Sequence, residues 1–215
     1  MRLLSSPSFQ SLLPRRSAIA TALFAILSPT APAHAFEAFR VRFYSEVSRE
    51  SCLQLRSAVE ERVSERAQWS ALARTPLELE TLPPIDLHVS SSGGSLFDAL
   101  HLYDYLSTVP VLHTHAEGIV ASAATLLTVV GAHRTMTKHS MMLVHQPSLP
   151  VGDSHWKMTD MRDEWKNMVT STAALVDVYN ATTLLDIDDI MTLLQNEEYL
   201  TARDCLKYGF IDEIL

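Results

Sequence analysis

The segment Gly118-Ile119-Val120-Ala121-Ser122-Ala123-Ala124-Thr125-Leu126-Leu127-Thr128-Val129-Val130-Gly131, with Ser140-Met141-Met142-Leu143-Val144-His145-Gln146-Pro147-Ser148 shortly after it, decides how this chain is read. Small residues from Gly118 to Ala124 open an apolar run from Leu126 to Val130, which predicts a helix with Ser122 in its first turn. The unpaired N–H groups of a helix start favour negative charge, so a serine there is either a cap or a nucleophile. Ser140 to Val144 reads as a buried strand, and Pro147 ends it just past His145. Eight helical residues carry the chain ~12 Å away, and five strand residues return it ~16 Å. Ser122 and His145 are therefore expected at one level of the fold.

Upstream, Ile85 to Ser92 followed by Gly93-Gly94-Ser95 and then Leu96 to Leu106 reads as strand, glycine turn and helix. Paired glycines let backbone approach a ligand closely and turn an N–H into a cleft. Together with the N–H of Ala123, such a turn would supply two donors to a developing oxyanion.

These residues resemble successive motifs of the Clp protease proteolytic subunit family. The matching stretches are Ser91-Ser92-Gly93-Gly94-Ser95, Tyr103-Asp104, Gly118-Ile119-Val120-Ala121-Ser122, Met142-Leu143-Val144-His145-Gln146-Pro147 and Tyr208-Gly209-Phe210-Ile211-Asp212-Glu213-Ile214. The resemblance covers roughly residues 38 to 215. It implies an α/β chain of the ClpP/crotonase fold, built of stacked βαβ units with a long projecting helix. It also implies a serine peptidase with Ser122 as nucleophile, His145 as base, and Gly94 and Ala123 as oxyanion donors. Aligning Thr201-Ala202 with the family's usual Ser-Ala puts Glu197 where the family carries its third, aspartate member. Asp186, Asp188, Asp189 and Glu198 are neighbouring alternatives. Two smaller departures are Ser92 in place of a usual proline and Ala123 in place of a common methionine.

The family further implies unfolded polypeptide as substrate, and homo-oligomeric or mixed rings stacked in pairs. A separate AAA+ unfoldase would supply any ATP dependence, since the chain has no GxxxxGK[ST] motif. No cofactor or metal is implied. Rival readings are a non-catalytic ring subunit, an acyl-CoA hydratase or isomerase of the same fold, and a Ser–Lys dyad with Lys138 as base.

At 215 residues and 47% hydrophobic content the chain supports one α/β domain, taken as residues 36–215. Residues 1–35 read as a cleaved targeting segment. No Asp or Glu precedes Glu37, Arg15-Arg16 precede an apolar run from Ala18 to Leu27, and Ala33-His34-Ala35 resembles a cleavage site. The serine-rich start suggests a plastid transit peptide joined to a thylakoid-type signal, with a secretory or mitochondrial signal as the alternative. The apolar run is shorter than the ~20 residues of a spanning helix. Cleavage would remove three of 17 basic residues and none of the 25 acidic ones, leaving a formal charge of −11, which argues against nucleic-acid binding.

Phe39 to Tyr44 alternates as a strand, and a helix capped by Ser48 with Ser51 is expected to reach about Val63. Ser64 to Pro84 reads as an insertion or a longer helix–loop excursion on the surface. Lys157 to Tyr179 carries apolar positions at helical spacing and reads as the long helix. The link from Ser148 to Ser154 would border the substrate channel. His113 and His115 share a strand face as ordinary strand residues rather than metal ligands, and Cys52 and Cys205 read as core thiols.

Overall fold

The computed structural model describes residues 39–73, 82–148 and 156–215. The expected targeting segment, the end of the Ser64–Pro84 excursion before Leu82 and most of the Ser148–Ser154 link lie outside those residues.

Within the unit Phe39–Leu215 the elements follow in the order β1 (Arg40–Phe43), α1 (Arg49–Leu72), β2 (Ile85–Ser91), α2 (Leu96–Leu106) and β3 (Leu112–Ala121). A 3-10 turn (Ser122–Thr125) leads into α3 (Leu126–Val129), then β4 (His133–Met136) and β5 (Met141–Leu143). The chain closes with α4 (Met158–Thr182), α5 (Ile187–Gln195), β6 (Tyr199–Thr201), α6 (Ala202–Tyr208) and β7 (Glu213–Ile214). The sheet runs β1-β2-β3-β4-β7 with every pair parallel. This is the expected α/β architecture of βαβ units.

The sheet forks along β3. Its first half pairs with β4 through His113 to Ala116, and its second half pairs with β5 through Ile119 to Ala121. The register against β2 shifts between Val89 and Ser91, and Gly118 turns the strand at φ +60°. A bulge of this kind bends a strand and re-aims its end, here toward Ser122.

Alternation sets the core. Ile85, Leu87 and Val89 are buried with Ala99, Leu102 and Leu106 of α2 and Cys52, Leu55 and Val59 of α1. The opposite sheet face is polar. His88 Nδ1 lies 2.7 Å from Glu117 Oε1, its ring stacks on His115 at 4.5 Å, and His115 Nε2 lies 3.1 Å from Asp86. Glu117 also accepts a hydrogen bond from Tyr44. His113 and His115 thus share a strand face as expected, and among the described residues no cluster of three or more His, Cys, Asp or Glu side chains is arranged to hold a metal.

Helix ends follow local chemistry. Ser48 and Ser51 cap α1 reciprocally, and Thr201 and Asp204 do the same for α6, which stops at left-handed Gly209. Two expected bounds change. α1 runs nine residues beyond Val63, because its exposed polar positions interrupt the apolar pattern without breaking the helix. The serine turn begins as 3-10 rather than α-helix. α4 buries only Leu175, Val176 and Tyr179, all near its C-terminal end, while Met158, Met161, Trp165 and Val169 are exposed. Its N-terminal two-thirds therefore stands off the core. Arg134 ties the far end of the sheet together, forking onto Asp212 at 2.7 and 3.1 Å and donating to the Thr182 carbonyl at 2.5 Å.

Burial pushes the His88 and His113 imidazoles down, while hydrogen bonds from Tyr44 and His88 hold the Glu117 carboxyl low against its own desolvation, and Arg134 holds Asp212 low. Each of these groups binds fewer protons folded than unfolded near its pKa, so each stabilises at high pH and the contribution is lost on acidification. The melting temperature is expected to hold between about pH 8 and 7, to fall as the pH drops through about 6.5, the ordinary histidine value, and to fall again in the carboxylate range. His88→Gln should flatten the first of these steps in a melting series run from pH 8 to 4.

Candidate active site

Ser122 sits between strand and turn. Ala121 is still extended, at φ −126°, whereas Ser122 takes φ +56°, a left-handed conformation uncommon for a side-chain-bearing residue. A sharp strand-to-helix turn of this kind is also the backbone setting in which some acyl-transfer folds present a serine. The N–H groups that follow it open the 3-10 turn and lack intrahelical partners.

The glycine turn after β2 is folded against this serine. A Cβ at Gly93, whose φ is +99°, would lie 2.7 Å from both the Ala121 oxygen and the Ser122 Cβ, and 3.3 Å from the Ala123 nitrogen. Val47 grips the other side of the turn. Its N–H donates to the Gly93 carbonyl at 2.7 Å and its carbonyl accepts from Ser95 N–H at 2.8 Å. In such a parallel bridge the residue opposite Val47 uses neither of its own peptide groups. The Gly94 N–H therefore points away from Val47, and Gly94 lines the same cavity as Ser122.

That cavity, about 620 Å³, also takes in Ala123 and His145, with Leu96 and Phe97 of α2 and Met168 of α4 among its apolar walls. Lys138 is not among its lining residues. His145 enters from two residues beyond β5, where Gln146 N–H donates to the Leu194 carbonyl of α5 at 2.8 Å. β6 runs antiparallel to β5, with Met141 opposite Thr201, Met142 opposite Leu200 and Leu143 opposite Tyr199. Continuing this register two residues brings Glu197 opposite His145. The contact follows: Glu197 Oε1 lies 3.6 Å from His145 Nδ1. With Nδ1 on the acid side, Nε2 is the nitrogen left for the cavity.

The structure thus gathers Ser122, Ala123, His145 and Gly94 around one cavity and puts Glu197 behind the histidine. Of the alternative acids, Asp186 instead caps α5 by accepting from Asp189 N–H at 2.9 Å. Glu197 is 76% exposed and His145 21%, so the acid end of the arrangement is open to water.

Sequence reasoning missed two residues. Thr125 donates its hydroxyl to the Ser122 carbonyl at 2.6 Å, and the Tyr179 hydroxyl lies 2.6 Å from the Thr125 Oγ1. A threonine three residues after the serine was a readable sign of the first contact. Nothing local marks the second, because Tyr179 follows Thr125 by 54 positions and reads as one more apolar position of α4.

With this geometry in view, two comparisons bear on the chain. The profile of the Clp protease family matches residues 37–215, so the chain belongs to the Clp protease family. A relative from Bdellovibrio bacteriovorus, named ATP-dependent Clp protease proteolytic subunit, is 26% identical over 135 residues, covering 61% of this chain and 64% of the relative. The match thus spans less than two thirds of that relative's length. The ClpP fold is the one expected from the sequence.

Gly93→Ala should unsettle the serine turn directly, since the added methyl meets the Ser122 Cβ inside van der Waals contact in a left-handed backbone. A loss of about 1–3 kcal/mol is expected from overpacking alone, measured by urea unfolding.

Proposed function

We propose that this chain is a serine endopeptidase that hydrolyses unfolded polypeptide inside an oligomeric chamber. The observation that carries the reading is the convergence of Ser122, His145 and Gly94 on one cavity with Glu197 aligned behind the histidine, in a chain of the Clp protease family. His145 Nε2 takes the proton of the Ser122 hydroxyl as its oxygen attacks the scissile carbonyl carbon. The N–H groups of Gly94 and Ala123 receive the oxyanion. Collapse of the tetrahedral intermediate expels the amine, protonated by His145, and water activated by the same imidazole hydrolyses the acyl-enzyme. Glu197 holds the imidazole with its Nδ1 proton turned away from the serine. At 3.6 Å it stands just beyond hydrogen-bond reach, and triads of this kind commonly tighten only with substrate bound.

The cavity's apolar walls suit side chains of an extended peptide. The exposed apolar residues of α4 suit burial by a second ring of the same chain or a related one. A separate AAA+ unfoldase would feed the chamber. A second reading, a ring subunit kept for assembly, draws on the exposure of Glu197.

Labelling with a serine-reactive fluorophosphonate separates the two. The peptidase reading expects one adduct on the assembled chain, lost in Ser122→Ala, while an assembled ring that takes no label supports the structural subunit. Glu197→Gln should lower kcat for a fluorogenic peptide by about 10²-fold or more, and an unchanged rate would remove Glu197 from the mechanism.

We also propose that residues 1–35 direct the chain to the plastid, into the stroma or thylakoid lumen. The acid-free, serine- and arginine-bearing leader supports this. A fluorescent protein fused to residues 1–35 should accumulate in plastids, and its secretion or mitochondrial import would instead select one of the other two destinations.

A further inference from the structure

The hydroxyl pair behind Ser122 has a direction. The Ser122 carbonyl can only accept, so the single Thr125 hydroxyl proton goes to it, at 2.6 Å. Thr125 must then accept from Tyr179, whose hydroxyl is 2.6 Å away and buried. Burial pushes the Tyr179 phenol up to about 12, so it keeps the proton it donates. The relay therefore runs from Tyr179 to Thr125 to the Ser122 oxygen. That oxygen and the Ala123 N–H are opposite ends of one planar trans peptide unit. Holding the oxygen toward Thr125 aims the N–H the other way, and polarising the carbonyl strengthens the N–H as a donor.

We propose that Tyr179 and Thr125 are positioning residues that aim the Ala123 N–H into the oxyanion site. This rests on the reading of Ser122 as nucleophile. The same relay restrains Ser122 in its left-handed conformation, because rotating the peptide unit would break the Thr125 bond. It also ties the serine turn to α4, an element separated from it in the chain by α3 and two strands.

The role predicts a loss confined to the tetrahedral state. A peptide aldehyde adds to the serine oxygen and puts its own oxygen, as an anion or hydroxyl, where the oxyanion would lie, whereas KM for a peptide reports mainly ground-state binding. With the full chain, Tyr179→Phe and Thr125→Val should each weaken aldehyde inhibition and lower kcat by about tenfold, with KM changed less than about twofold. The double variant should be no worse than the worse single one, since the two act as one relay. Thr125→Ser keeps the hydroxyl and should stay within about twofold of the unsubstituted chain. Unchanged kcat and aldehyde inhibition in Thr125→Val overturns the proposal even if Tyr179→Phe fails to fold, and so does a KM that rises in step with the inhibition constant. The underlying reading fails separately: a chain that neither cleaves peptide nor takes fluorophosphonate has no active Ser122. One that does both, with Thr125→Val equal to it, loses the relay alone.

Discussion

Backbone meets backbone at Gly93, and the site is built on that contact. The turn after β2 lies so close to the turn after β3 that a single methyl at position 93 would fall on the Ser122 Cβ and the Ala121 oxygen. Val47 clamps the turn from the other side through Gly93 and Ser95. A Cβ at Gly94 would lie 2.1 Å from the Val47 oxygen. The two glycines are thus squeezed between the entry to α1 and the serine turn. Packing at this density leaves each turn one conformation. The consequence is that Gly94 N–H, Ser122 and Ala123 hold their mutual positions without a ligand to arrange them.

The fork in the sheet serves the same end. Were β3 paired along its whole length with β4, its C-terminal end would continue straight. Instead the register shift near Ser91 and left-handed Gly118 hand its second half to β5. The strands that lead to Ser122 and to His145 become neighbours, and His145 needs only two residues beyond β5 to reach the cavity.

Much of this was readable from residue order because it depends on local chemistry. Small residues before an apolar run marked the serine turn, Pro147 marked the end of the histidine strand, and Gly93-Gly94 marked the close approach. Thr201, three residues before Asp204, and Gly209 carry local capping chemistry that bounds α6. The position of Glu197, reached by aligning Thr201-Ala202 with a family pattern, has its physical basis in the β5–β6 register, which spacing alone does not reveal. Other features needed the folded chain. Val47 lies in no motif, and its bridge to the glycine turn is a tertiary contact. Tyr179 reads as a core position until its hydroxyl is seen against Thr125. The end of α1 at Leu72 stayed open between helix and insertion, because helix propensity carries it through a polar stretch where hydrophobic periodicity fades.

Among the described residues β6 is the one strand that pairs antiparallel, and its three residues join β5 only after the chain has run out along α4 and returned through α5. Histidine and acid are therefore partners across a large closed loop. Closing that loop costs entropy before the pairing can repay it, and His145 meets Glu197 only once α4 and α5 lie in place between them. A chain still emerging from synthesis carries the serine, the glycine turn and the histidine before it carries the acid. On the peptidase reading, such a chain has its cutting groups but not their alignment, a built-in delay that would spare neighbouring nascent proteins until the fold has closed.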